Sequence, residues 1–136
     1  MIYDSLDALA SYASIIGPAV QIERLIAGEV ASLPLAERID ESGEARPFDG
    51  TLRAHKERHC LHWVSQGRDV IAVGYREQTK GLPVCDEGTI VVEGAQVATV
   101  LTLREGEFVL FMPGEPYALR LAGSSGHVGG ESIRFV

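Results

Sequence analysis

The chain has 136 residues and a formal charge of −7, with 46% hydrophobic and 23% charged residues. This length suits a single domain covering residues 1–136, and the composition is that of a globular chain and not of a disordered one. Twelve basic residues stand against 19 acidic ones, so bulk charge opposes binding to nucleic acid phosphates or to an anionic membrane. We therefore expect neither nucleic acid nor membrane as a partner.

The cysteine content and the first residues bear on the compartment. Only Cys60 and Cys85 are present, and the start of the chain lacks the basic and apolar stretches of a secretory signal. The longest apolar runs are far shorter than a membrane span. These features predict a cytoplasmic protein.

Residues 1–30 carry helical signals. Ser5 or Asp4 can cap a first helix, and Gly17-Pro18 separates it from a second helix that Gly28 would end. We therefore predict a short N-terminal helical pair that packs on the rest of the domain.

The remainder of the chain has the pattern of short strands. Turn pairs that end in glycine recur at short intervals between segments rich in Val, Ile, Leu, Thr and Phe. The clearest of these segments are 70–73, 89–92, 97–103, 108–112 and 132–136. No segment is long and periodic enough to be a crossover helix, so the pattern predicts an all-β antiparallel sandwich or barrel.

One segment makes the predicted architecture more specific. Residues 103–117 read as strand, turn, strand, turn and strand, with turns at Glu105-Gly106 and Pro113-Gly114. Two closely spaced turns direct Tyr117 back toward the mouth of the barrel. The phrase is typical of a cupin-like double-stranded β-helix, or jelly roll.

The segment 55–62 contains three histidines and a cysteine. On an extended strand Cys60 and His62 point to one face, whereas Leu61 and Trp63 point to the other. A turn or bulge between residues 55 and 60 would be needed to bring His55 to the face of Cys60 and His62. We expect Trp63 to lie in the core.

His55, Cys60 and His62 form a candidate metal site. Neutral imidazoles and a thiolate are good ligands for zinc or copper and weak ligands for magnesium. A divalent metal such as zinc is therefore one interpretation. The other is a metal-free pocket in which Cys60 is a small buried hydrophobic side chain.

Three segments resemble the YhcH/YjgK/YiaL family, which includes the small β subunit of evolved β-galactosidase. They are residues 53–67, residues 105–118 and the closing strand 132–136. His55 and His62 match residues that the family uses. Arg53, Cys60 and Tyr117 stand where the family has glutamate, aspartate and histidine.

The resemblance implies a cupin-like barrel with a polar pocket and a role in carbohydrate metabolism. The implied activity is that of a sugar anomerase or epimerase, with His55, His62 and Tyr117 as the acid and base groups. Arg53 would suit a sugar acid because guanidinium groups bind carboxylates in two places, and Arg134 matches a family lysine as a second substrate-binding residue. The alternatives are a non-catalytic sugar-binding module and a companion subunit of a glycosidase, and a homodimer is left open.

Overall fold

The computed structural model describes all residues, Met1–Val136. Eleven strands form two antiparallel sheets, and short helices follow the first strand. The strands are β1 (Ile2–Ser5), β2 (Glu37–Asp40), β3 (Gly43–Glu44), β4 (Leu52–His55), β5 (His59–Gln66), β6 (Arg68–Gly74), β7 (Thr89–Val92), β8 (Val97–Arg104), β9 (Glu107–Phe111), β10 (Tyr117–Ala118) and β11 (His127–Phe135). The α-helix α1 covers Ala19–Ile26, and 3-10 helices cover Leu6–Tyr12, Arg76–Thr79 and Asp86–Gly88.

The first sheet has the order β1-β9-β5-β11-β2, and β3 pairs with the start of β11. The second sheet has the order β7-β4-β10-β6-β8. The chain crosses from one sheet to the other six times, after β3, β4, β5, β8, β9 and β10. This alternation between two packed antiparallel sheets confirms the predicted all-β, cupin-like jelly-roll fold with N-terminal helices.

The side chains on the two faces of β5 pack in different parts of the hydrophobic core. Leu61 and Trp63 pack with the N-terminal helices, whereas Cys60 and Val64 pack between the two sheets. Trp63 is 4% exposed and lies in the core as expected. Alternation along the strand therefore directs Cys60 and His62 into the space between the sheets.

The N-terminal region differs in part from the helical pair that its signals predict. Residues 2–5 form β1, which pairs with β9, and the first helix is a 3-10 helix. Ser5 caps this helix by accepting a hydrogen bond from the amide of Asp7 at 3.3 Å. Pro18 and Gly28 flank α1 as the sequence indicates. None of the helices combines the length and apolar character needed to cross a membrane.

Candidate functional site

A polar cavity of about 340 Å³ lies where β4, β10 and the end of β11 meet the segment 46–51. His55, Tyr117 and Thr89 contribute uncharged polar groups to its wall. The charged lining residues are Arg46, Arg53, Arg120, Arg134, Glu41, Asp49 and Glu87. Four guanidinium groups thus face three carboxylates, which makes the cavity locally cationic in a chain of net charge −7.

His55 and Tyr117 meet at this cavity. Strand β4 ends at His55, and the three-residue crossover to β5 brings Cys60 of the first sheet close to it. Tyr117 pairs in register with Arg53 of β4, and its ring stacks on Phe111 with centroids 3.8 Å apart. The His55 Nε2 atom lies 3.1 Å from the Tyr117 hydroxyl oxygen.

The hydrogen-bond directions set the tautomer of His55. The Tyr117 hydroxyl donates to Cys60 Sγ at 3.3 Å. Its oxygen is then the acceptor for His55, so the proton of the neutral ring lies on Nε2. The Nδ1 atom of His55 is buried and has no partner in the protein. It therefore offers a free lone pair, and the ring that carries it lines the cavity.

Burial and charge keep His55 neutral. The side chain is 6% exposed, and burial, followed by the charges of Arg134 and Arg58, lowers the pKa of His55 to about 4. Glu37 acts in the opposite direction with a smaller effect. At neutral pH His55 is thus a hydrogen-bond acceptor at Nδ1 and a weak base.

Arg134 lines the same cavity and has an unused buried donor. Its register partner on β5 is Cys60, which places it beside the His55–Tyr117 pair. Arg134 Nη1 lies 3.6 Å from a carboxylate oxygen of Glu37, and the Nε atom is buried without a partner. An uncompensated buried donor costs about 1–3 kcal/mol, so a ligand that accepts a hydrogen bond from it would gain affinity.

His62 is not in the cavity, contrary to the sequence-based prediction. Its side chain is fully buried between the sheets and forms two hydrogen bonds. Nδ1 lies 3.1 Å from the hydroxyl of Ser132, its register partner on β11, and Nε2 lies 2.9 Å from a carboxylate oxygen of Asp69 on β6. Gly130 leaves room for the ring, since a Cβ atom there would lie 3.0 Å from His62 Cε1.

The candidate metal set of His55, Cys60 and His62 does not fit a metal ion in this structure. Both ring nitrogens of His62 form hydrogen bonds with other side chains, and Cys60 Sγ accepts a hydrogen bond from the Tyr117 hydroxyl. No group of three His, Cys, Asp or Glu side chains is arranged to hold a metal. The reason is that His62 is turned to Asp69 across the sheets, whereas His55 is turned to Tyr117.

Removal of metal is therefore expected to leave the protein unchanged. After treatment with a zinc chelator, the melting temperature should match that of the untreated protein, because no structural ligand set is lost. Differential scanning fluorimetry with elemental analysis of the same samples measures this. A clear fall in melting temperature together with one zinc per chain before treatment would contradict the interpretation.

Two residues around His62 were not predicted from the sequence. Asp69 and Ser132 are both fully buried. The Asp69 carboxylate also accepts a hydrogen bond from the backbone amide of Arg120 at 2.7 Å. A signal for Asp69 was available, because a carboxylate at an inward position near the start of an apolar strand needs a buried partner. Ser132 carries no comparable signal.

The fold and the cavity define a small cupin-like all-β protein with a polar cavity beside one crossover between its sheets. No family model and no curated protein matches the chain. Among the solved structures that do match is one described as "X-Ray structure of E. coli ycfD", with a TM-score of 0.47 and 17% identity. The match covers 62% of this chain and spans only 22% of that protein, and it concerns part of the fold alone.

Proposed function

We propose that the cavity binds a sugar or sugar acid and that the protein acts as a small carbohydrate-active protein of the anomerase or epimerase type. One observation carries the proposal. His55 and Arg134 both line the cavity, and each carries a buried polar atom without a partner in the protein, the acceptor Nδ1 and the donor Nε. A sugar offers hydroxyl donors and oxygen acceptors at close spacing, and a carboxylate would add a charge partner for the arginines.

The sequence resemblance supports the carbohydrate class. Arg53, His55 and Tyr117 occupy polar pocket positions of the YhcH/YjgK/YiaL pattern, and all three line the cavity. Arg134, at the position of a family lysine, lines it as well. Membership in that family is part of the proposal.

The chemistry of anomer exchange matches what these side chains can do. Ring opening requires a base for the proton of the anomeric hydroxyl and a donor near the ring oxygen. His55 Nδ1 would accept the proton, and Tyr117 would hold the ring through Nε2. Burial raises the pKa of Tyr117 well above its ordinary value, so its phenol stays neutral. The Arg134 or Arg53 guanidinium would stabilise the negative charge that develops on oxygen.

The low pKa of His55 favours a second candidate, a non-catalytic binding or regulatory module. A base with a pKa near 4 is weak at neutral pH, and no second imidazole lines the cavity. An anionic ligand would make His55 a stronger base. Its negative charge beside Arg134 would cancel one of the effects that lower the pKa of His55. The companion subunit of a glycosidase belongs to this second candidate.

Anomer exchange is the measurement that tests the proposal. Exchange NMR with a panel of neutral hexoses and hexuronic acids should show an accelerated rate for at least one sugar. His55→Gln should slow the protein-dependent rate by about 10²-fold or more, because it removes the base. His127→Gln, a histidine exposed at the start of β11, is the matched control and should keep the wild-type rate.

The outcomes separate the two candidates. Binding without any accelerated exchange supports the non-catalytic module. If no sugar of the panel binds at millimolar concentration, both candidates fail.

We also propose a cytoplasmic location, and a second copy of the chain or a glycosidase as the partner. Both cysteines are free thiols, which supports a reducing compartment such as the cytoplasm. Light scattering of the purified protein tests the homodimer, and co-purification with a large glycoside hydrolase tests the companion subunit.

A further inference from the structure

Arg120 lies in a β-bulge at the cavity. Ala118 of β10 is the register partner of Ala72, but the backbone amide of Leu121 donates to the carbonyl of Val70. The chain after β10 thus has one residue more than β6 opposite it, which is the pattern of a bulge. Bulges are frequent next to active sites, where they redirect a side chain. Arg120 is inside this bulge, and it lines the cavity.

The backbone of Arg120 is in the left-handed region, which is unfavourable for an arginine. Its φ angle is 55°, a value that residues other than glycine seldom adopt. Leu35 and Glu87 are the other non-glycine residues with positive φ, and Glu87 also lines the cavity. Such a conformation persists only where the surrounding groups hold it, and it is concentrated at active sites and ligand-binding sites.

A buried carboxylate holds Arg120 in this conformation. Asp69 Oδ1 accepts a hydrogen bond from the Arg120 backbone amide at 2.7 Å, and Asp69 Oδ2 lies 2.9 Å from His62 Nε2. Asp69 and His62 are both fully buried. The Arg120 carbonyl accepts a hydrogen bond from the backbone amide of Arg46 at 2.9 Å. The backbone of Arg120 is therefore held by β6 at its amide and by the segment after β3 at its carbonyl.

The guanidinium group of Arg120 is only partly used by the protein. Nη1 donates to the backbone carbonyl of Glu41 and lies 3.6 Å from a carboxylate oxygen of the same residue. Gly43 leaves room for the side chain, since a Cβ atom there would lie 3.0 Å from Arg120 Nε. No protein group accepts a hydrogen bond from Nε or Nη2, and the side chain is 18% exposed. The guanidinium group can therefore still bind a ligand oxygen.

We infer that Arg120 binds the ligand of the cavity and that Asp69, held by His62, is the positioning residue that keeps Arg120 in place. This inference rests on the proposed function for the identity of the ligand. Guanidinium groups bind carboxylates in two places, so Arg120 should favour hexuronic acids over neutral hexoses. The inference also gives the buried His62–Asp69 pair a role at the cavity, although neither residue lines it.

Binding of the hexose and hexuronic acid panel to Arg120→Asn tests the ligand role. Asparagine tolerates a left-handed backbone, so the substitution removes the guanidinium group and leaves the bulge intact. Calorimetric titration should show hexuronic acid affinity reduced by about 10-fold or more, the usual effect of losing a hydrogen bond to a charged group, and a smaller loss for neutral hexoses. Arg24→Asn makes the same charge change at an exposed position of α1 and should bind as the wild type does.

The positioning role of Asp69 is tested through Arg120. A left-handed backbone brings the amide proton and the α-proton of a residue close together, so NMR should show a strong intraresidue NOE for Arg120 in the free wild type. Asp69→Ala should weaken this NOE and lower hexuronic acid affinity, whereas Asp69→Asn keeps an acceptor oxygen and should restore both. In the Arg120→Asn background, Asp69→Ala should cause no further loss of affinity, which a merely structural effect would still cause.

Three results would overturn the inference. A wild-type Arg120 without the strong NOE excludes the left-handed conformation, and this reading needs no variant to fold. Equal hexuronic acid affinity in wild type and Arg120→Asn excludes the ligand role. Additive losses from Asp69→Ala and Arg120→Asn exclude an action of Asp69 through Arg120.

The same panel separates this inference from the proposed function. If hexoses bind and no hexuronic acid does, the proposed function survives and the ligand role of Arg120 fails. If no member of the panel binds, both fail, and the NOE of Arg120 with its response to Asp69→Ala still decides the positioning role of Asp69.

Discussion

His62→Ala is expected to lower the free energy of unfolding by about 3–5 kcal/mol, the usual cost of leaving a buried carboxylate without its partner. The substitution leaves the Asp69 carboxylate fully buried with only the Arg120 amide as a partner, and it removes a bridge between the two sheets. It also creates a cavity in a closely packed region. Urea denaturation followed by tryptophan fluorescence of the buried Trp63 measures the change.

Two comparisons make this result specific. His127→Ala removes an exposed histidine that contacts Glu44 at 3.1 Å and should have a much smaller effect. Ser132→Ala removes a single hydrogen bond to His62 and should cost about 1–3 kcal/mol. Equal losses for His62→Ala and His127→Ala would show that the His62–Asp69 bridge contributes no stability.

A pH-dependent loss of stability is the second large expected effect, and it arises from His55. Its pKa is about 4 in the folded protein and 6.5 in the unfolded chain. Between these values the unfolded chain binds more protons, so the free energy of unfolding must fall as the pH is lowered from 6.5 toward 4. The loss from this one residue is at most about 3 kcal/mol, at 1.36 kcal/mol for each unit of pKa.

Denaturation curves at a series of pH values isolate this contribution. Carboxylates also titrate near pH 4, so the comparison is made between wild type and His55→Gln from pH 7 to pH 5. The wild type should lose stability more steeply than the variant over this range. Parallel curves would mean that His55 is as easily protonated in the folded protein as in the unfolded one.

The strands were predictable because their signals are local. Thr89–Val92 and Val97–Arg104 lie within a residue or so of the predicted segments, since glycine turns and β-branched residues mark them. Strand β1 was missed because it has only four residues and its partner, β9, lies about a hundred positions along the chain. A short segment whose pairing partner is so distant leaves little trace in the sequence.

The candidate site was predictable in part, for a related reason. Alternation placed Cys60 and His62 on one face of a strand, and that is where they lie. Alternation does not say how deep a residue sits along that face. His62 lies two residues further along β5, where Ser132 and Asp69 enclose it, whereas Cys60 lies near the start of β5, next to Tyr117 and Arg134. Strand crossings and register, which decide this, appear only in the folded chain.

A sugar or sugar acid is proposed to bind between His55 and Arg134. Titration of histidine-labelled protein with the hexose and hexuronic acid panel, followed by side-chain nitrogen shifts, tests it most directly. We expect the Nδ1 signal of His55 to move in a saturable way, the signals of His127 to stay in place, and Arg134→Met to weaken the response. Shifts at His127 without any change at His55, or a response unaffected by Arg134→Met, would contradict it.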